Sequence, residues 1–126
     1  MSHTIIYNLE EHVVEVTIQG DFSLSETKEI IAETIQIAKE QNCFLVLTDM
    51  REATMKLSMV EIYEFPKMLT AIFTSSGLSS YKLKRAFVAQ KNLKEYIFFE
   101  TVTLNRSQSI KYFFDMDKAR KWLLGN

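Results

Sequence analysis

Phe44-Leu45-Val46-Leu47-Thr48-Asp49-Met50-Arg51 is the stretch on which the fold turns. Its four leading apolar residues do not alternate, so neither side of the segment is meant for water. That is the pattern of a central parallel strand covered on both faces. Polar groups begin at Thr48-Asp49, which marks the predicted C-terminal end of the strand. In open α/β sheets that end is where ligands and partners dock. Asp49 and Arg51 lie two apart and therefore share a side there.

Upstream, Thr4 to Asn8 reads as a short strand, and Leu9-Glu10-Glu11-His12 as a hairpin turn without the usual glycine. Val13 to Gln19 alternates, with Val14, Val16 and Ile18 on one face and Val13, Glu15, Thr17 and Gln19 on the other. Gly20 is expected to end this strand. Ser23 and Glu26 then form a capping-box pattern, opening an amphipathic helix that stops near Gln41-Asn42.

Downstream, Glu52 to Leu57 reads as a connection, and Ser58 with Glu61 forms a second capping-box pattern. The helix it opens carries Val60, Ile62, Tyr63, Phe65, Leu69, Ile72 and Phe73. Pro66 predicts a kink or break near Tyr63 to Pro66. Ser75-Ser76-Gly77 stops the helix, and Gly77 to Lys82 is loop-like. Arg85 to Ala89 is a strand, Asn92 to about Val102 a third helix, Thr103 to Ser109 a loop, and Ile110 to Phe114 the last strand. Asp115 or Asp117 caps a final short helix that Gly125 ends. Two strands followed by alternating helices and strands imply an α/β fold. Its sheet is mixed and mostly parallel, with an N-terminal antiparallel edge strand and about four helices.

The totals agree with one domain spanning residues 1–126, with 47% hydrophobic and 25% charged residues. A net charge of -1 supplies no general attraction to nucleic acid or to an anionic membrane surface. Cys43 is the only cysteine, so no internal disulfide forms, and its place at the start of the central strand suits a buried thiol. Met1-Ser2-His3-Thr4 has no basic region followed by an apolar run, and no apolar run approaches the ~20 residues of a membrane span. A cytoplasmic protein is expected.

Several pieces, in order, resemble the STAS/SpoIIAA-like family, including a bacterial group related to anti-anti-sigma factors and to CRAL-TRIO lipid-transfer domains. They are Gly20, Leu45 to Arg51, Ser58-Met59-Val60-Glu61, Lys84 to Ala89, Glu100, and Phe113-Phe114-Asp115-Met116-Asp117-Lys118-Ala119-Arg120-Lys121-Trp122-Leu123. The resemblance spans nearly the whole chain and implies a SpoIIAA-like fold. In anti-anti-sigma factors a serine at the helix start after the central strand is phosphorylated by a kinase partner. Ser58 falls on or beside that position, which makes it a phospho-acceptor candidate. The flanking residues depart from that pattern, with Leu57 in place of an acidic residue and Met59-Val60 in place of Ser-Gly.

Each candidate also has a plainer reading. Ser58 serves as an N-cap worth about 1 kcal/mol, or accepts a phosphate that the helix N-terminus stabilises. Asp49 and Arg51 bind a polar ligand or partner, or form a local ion pair. Lys82, Lys84 and Arg85 touch an acidic partner or a lipid phosphate, or are solvated where the strand begins. Six methionines and nine phenylalanines line an apolar pocket, as kinship with lipid-transfer domains implies, or fill the core. Catalysis has little support, and an enzyme would need chemistry from Asp49, Arg51 or Glu100. His3 and His12, at the N-terminus and in a turn, have no obvious acid-base partner, no phosphate loop, nucleophile elbow or metal spacing occurs, and no cofactor is implied. Glu100, amid aromatics, reads as structural. The expected function is a non-enzymatic regulatory or protein-interaction module. The alternative is a small carrier holding a lipid or other apolar molecule between the second and third helices. A homodimer through a sheet edge or helix face is left open.

Overall fold

The apolar runs of the sequence become strands of one sheet. The computed structural model describes residues 2–55, 57–78, 82–90 and 109–125. The elements are β1 (Ser2–Asn8), β2 (Val13–Phe22), α1 (Leu24–Glu40), β3 (Leu45–Met55), α2 (Met59–Ser76), β4 (Lys84–Val88), β5 (Ile110–Phe113) and α3 (Met116–Leu124). The strands lie in the order β1-β2-β3-β4-β5. β1 pairs antiparallel with β2, and every later pair is parallel. This is the expected sheet, with three helices among the described residues. The helix expected over Asn92 to Val102, the loop after it and Glu100 lie outside them.

From β2 to β5 the strands advance in one direction, so crossovers of one hand put α1 and α2 on the same face. There Val14, Val16, Ile18, Val46 and Met50 pack against Ile30, Ile35, Ile62, Phe65, Leu69 and Phe73. Each such side chain contributes about 1.5–3 kcal/mol when fully buried. α3 covers part of the other face, where Ala119 and Leu123 meet Val13, Leu47, Ala86 and Val88. Leu45 to Leu47 is thus apolar throughout because helices pack on both sides of it. Further along β2, Glu15 and Thr17 continue the face that α3 leaves uncovered.

Local chemistry sets the turns. The β1–β2 turn closes with His12 at φ 58, taking the left-handed place that glycine often fills. Asn8 Oδ1 accepts the Glu11 N–H at 3.0 Å, and the Asn8 carbonyl accepts the His12 N–H at 2.8 Å. Ser23 caps α1 by accepting the Glu26 N–H at 3.3 Å. Lys39, in the last turn of α1, donates to the Ser76 carbonyl at 2.7 Å and so ties the end of α1 to the end of α2. Asp115, not Asp117, caps α3, accepting the backbone N–H groups of Asp117 and Lys118. Gly77 and Gly125 stop α2 and α3 in the left-handed region. The Cys43 thiol is fully buried and donates to the His12 carbonyl at 3.1 Å.

Three expectations are corrected. Gly20 does not end β2: the strand runs to Phe22, with Gly20 inside it at φ 89 and paired to Ala53. The central strand does not stop at Thr48-Asp49, and Glu52 to Leu57 is mostly not a connection. β3 continues to Met55 because β2 extends beside it and supplies a ladder from Gln19 to Phe22. Third, of the kink or break expected near Pro66, the break does not occur: α2 runs from Met59 to Ser76 through it. A proline inside a helix costs ~3 kcal/mol. The buried residues Ile62, Phe65, Leu69 and Phe73, spaced by three and four, hold the helix across it.

Candidate functional site

The stretch that decides the fold also holds a defect in it. The β2–β3 register steps from Thr17 opposite Asp49 to Gln19 opposite Glu52, so β3 carries one extra residue. Met50 and Ala53 are both buried, whereas Arg51 and Glu52 between them are both exposed. Bulges of this kind re-aim side chains and occur often beside functional sites. Here Asp49 and Arg51 meet in a fork: Arg51 donates from Nε to Oδ1 at 2.9 Å and from Nη2 to Oδ2 at 2.8 Å. The Arg51 backbone N–H also donates to Asp49 Oδ1, at 3.1 Å. These hydrogen bonds hold the Asp49 carboxyl below the usual carboxylate range, against the opposing effect of burial. The Gln90 side-chain amide donates to the Arg51 carbonyl at 2.6 Å and pins the bulge to the segment after β4.

This ion pair lines a cleft of about 330 Å3 on the sheet face that α3 leaves open. Thr4 and Ile6 of β1, Glu15, Val16 and Thr17 of β2, Leu47 of β3, and Met116 and Arg120 of α3 complete it. Arg120 pairs with both Glu11 and Glu15, fastening α3 to the β1–β2 hairpin. The charges facing the cleft are therefore matched within the protein. Sequence reasoning did not find Glu15 or Arg120. The signal available for Glu15 is that it is the one residue of Val13 to Ile18 that is not β-branched.

Ser58 stands at the N-terminus of α2, three residues beyond the end of β3. Its hydroxyl accepts the Glu61 N–H at 3.2 Å, and the Glu61 carboxylate accepts the Ser58 N–H at 3.0 Å. The capping box read from the sequence is complete. Ser58 is exposed, and so are apolar neighbours that a core helix would turn inward. Met59 is 58% exposed, Val60 69% and Tyr63 49%. Val60 and Tyr63 are among the apolar residues that the sequence assigns to this helix, without a buried or exposed side. Spacing separates them from the core, since Ile62, Phe65, Leu69 and Phe73 complete a buried stripe without them.

The basic cluster does not exist in space. Alternation along β4 sends Lys84 and Arg85 to opposite faces. Lys84 donates to the Trp122 and Leu123 carbonyls at 2.6 and 3.3 Å, closing the C-terminal end of α3, and its ammonium lies 4.5 Å from the Trp122 ring centre. Arg85 is buried, donates to the Leu83 carbonyl at 3.1 Å, and stacks 4.8 Å from the Phe73 ring. Burial pushes its guanidinium down to about 10. Lys82 lies over Phe44. The expectation that Lys84 and Arg85 form a binding surface is corrected on this ground: Arg85 is inside, and Lys84 is committed to α3.

Arg85 also borders a cavity between α1, α2 and the sheet, lined by Ile30, Thr34, Phe65, Leu69 and Phe73 among others. Its volume is about 50 Å3. A water molecule occupies roughly 30 Å3 of liquid, so this space suits one or two waters and no acyl chain. Among the described residues, no group of three or more His, Cys, Asp and Glu side chains is placed to hold a metal, and no helix is long and apolar enough to cross a membrane.

No protein-family model matches the chain, and no curated protein matches it. Solved structures do. An anti-sigma factor antagonist from Mycobacterium paratuberculosis is 15% identical, with a TM-score of 0.58 over 97% of this chain and 94% of its own. An uncharacterised protein with a SpoIIAA-like fold from Shewanella loihica is 16% identical, with a TM-score of 0.56 over 97% of this chain and 92% of its own. The fold is SpoIIAA-like, as the sequence resemblance implied.

Proposed function

We propose that residues 1–126 form one SpoIIAA-like domain that works by binding a protein partner and carries out no catalysis of its own. The observation that carries this reading is the cluster of exposed apolar side chains, Met59, Val60 and Tyr63, around the exposed N-cap Ser58. A helix that exposes Met59 and Val60 beside its capping residue is spending solubility on contact. The fold likeness supports the same reading, since one similar structure is that of an anti-sigma factor antagonist, a name denoting action on another protein. In this reading Ser58 is the regulatory point. A phosphate there adds a charge of about -1.5 to -2 beside the apolar contact and next to the Glu61 carboxylate. The ion pair of Asp49 and Arg51 lines the cleft on the opposite face of the sheet and is a surface separate from this contact.

Val60→Asp tests this without touching the core, because Val60 is mostly exposed. Affinity capture from the native host, followed by titration of the captured protein, should show at least a tenfold loss of affinity, equivalent to about 1.4 kcal/mol. Equal binding by the wild type and Val60→Asp would rule out the α2 start as the contact surface.

A further inference from the structure

The two edges of the sheet are built differently. β5 is four residues long, carries Lys111, and has α3 packed beside it. Shortness and charge are the usual guards of a sheet edge. β1 has neither. It runs for seven residues, Ser2-His3-Thr4-Ile5-Ile6-Tyr7-Asn8, without Asp, Glu, Lys, Arg or Pro. Its ladder with β2 is unbroken from Ser2 to Asn8, so no bulge twists it away. Ile6, facing the open side of the sheet, is 58% exposed. The outer backbone groups of such a strand form a template for another strand.

We propose that this strand is complementary to a second copy of this chain. Two β1 strands pair antiparallel about a two-fold axis through Ile5, extending the sheet from five strands to ten. A two-fold axis perpendicular to the sheet keeps each side chain on its own face, so every residue meets one of the same parity. Centring on Ile5 places all seven residues in the ladder. On the helix-covered face, Ile5 meets Ile5 and His3 meets Tyr7. On the open face, Thr4 meets Ile6 and Ser2 meets Asn8. No like charges meet, and β-branched residues, which favour cross-strand packing, hold the middle. The axis reverses strand direction, so the two Ser58 helix starts face opposite ends of the doubled sheet and engage separate partner molecules.

The register makes the test specific. Thr4 and Ile6 are exposed, so substitutions there leave the core intact. Thr4→Lys with Ile6→Lys sets lysine opposite lysine twice across the seam. Thr4→Glu with Ile6→Lys sets glutamate opposite lysine twice. Sedimentation equilibrium on each full chain should give about 29 kDa, twice the 14.7 kDa chain, for the wild type. The double lysine variant should fall to the single-chain mass, and the glutamate–lysine variant should return to the dimer. Circular dichroism should match for all three. A wild type of single-chain mass overturns the proposal. So does a double lysine variant that stays dimeric, which would place the contact elsewhere. A glutamate–lysine variant that stays monomeric overturns the Ile5-centred pairing and the proposal with it.

Discussion

Ser58 has two roles that a single substitution would confuse and a pair separates. Ser58→Ala removes the hydroxyl that accepts the Glu61 N–H, leaving that donor to water. Losing a serine N-cap costs about 1 kcal/mol. Unfolding entropy of ~2.1 cal/mol/K per residue over 126 residues comes to about 0.26 kcal/mol/K, so Tm should fall by ~4 °C. Partner affinity should hold, because the apolar contacts of Met59, Val60 and Tyr63 remain. Ser58→Asp should do the reverse. Aspartate caps as well as serine and adds a charge favourable to the helix N-terminus, offset by the nearby Glu61 carboxylate. Stability should stay within about 0.5 kcal/mol of the wild type. Yet a carboxylate beside a dehydrating apolar contact should weaken binding by tenfold or more, about 1.4 kcal/mol. Chemical denaturation and calorimetric titration with the captured partner read both quantities on the same samples. If Ser58→Ala leaves stability unchanged, the capping box is not holding α2. If Ser58→Asp binds like the wild type, charge at this position does not regulate the contact.

Two further substitutions test how the surrounding elements are held. Asp49 has its folded pKa lowered by Arg51, so the unfolded chain binds the proton more readily. Its contribution is therefore present above the ordinary value of 3.8 and fades as pH falls through the lower folded value. With Arg51 about half exposed, the contribution is roughly 0.5–1 kcal/mol. Denaturation of Asp49→Asn and wild type should differ near neutral pH and converge in acid, and a gap that persists in acid would contradict the linkage. Lys84→Met keeps the side-chain stem against Trp122 but removes the donor to the last carbonyls of α3. It should cost about 1–2 kcal/mol in urea unfolding, and a neutral result would show that those carbonyls are satisfied without Lys84.

Most of the fold was legible because it rests on local signals. The alternation of Val13 to Gln19 set a half-covered strand, and the continuous apolar run at Leu45 to Leu47 set a doubly covered one. Ser23, Ser58 and Asp115 announced helix starts through the same hydrogen-bonding chemistry. The errors came where a distant partner decided the outcome. Gly20 and Glu52 look like strand ends on their own, yet β2 and β3 extend together because each gives the other a ladder. Pro66 weakens α2 locally, and four buried side chains hold the helix through it.

The candidate site was harder to read because its parts are defined by what does not happen to them. Lys84 and Arg85 are adjacent in sequence and separated in space by the two-residue period of a strand, so a basic cluster dissolves into a helix cap and a core cation. Val60 and Tyr63 have the chemistry of core residues and lie outside the core only because Ile62 and Phe65 take the inward face. Apolar content therefore told where α2 would fold but not which of its residues would remain in water. The distinction needs the direction of each side chain relative to the sheet, a property of the assembled layers. For that reason the exposed start of α2 is the surface to test first: Met59 and Val60 lie outside the described core, and binding a partner gives their exposure a use.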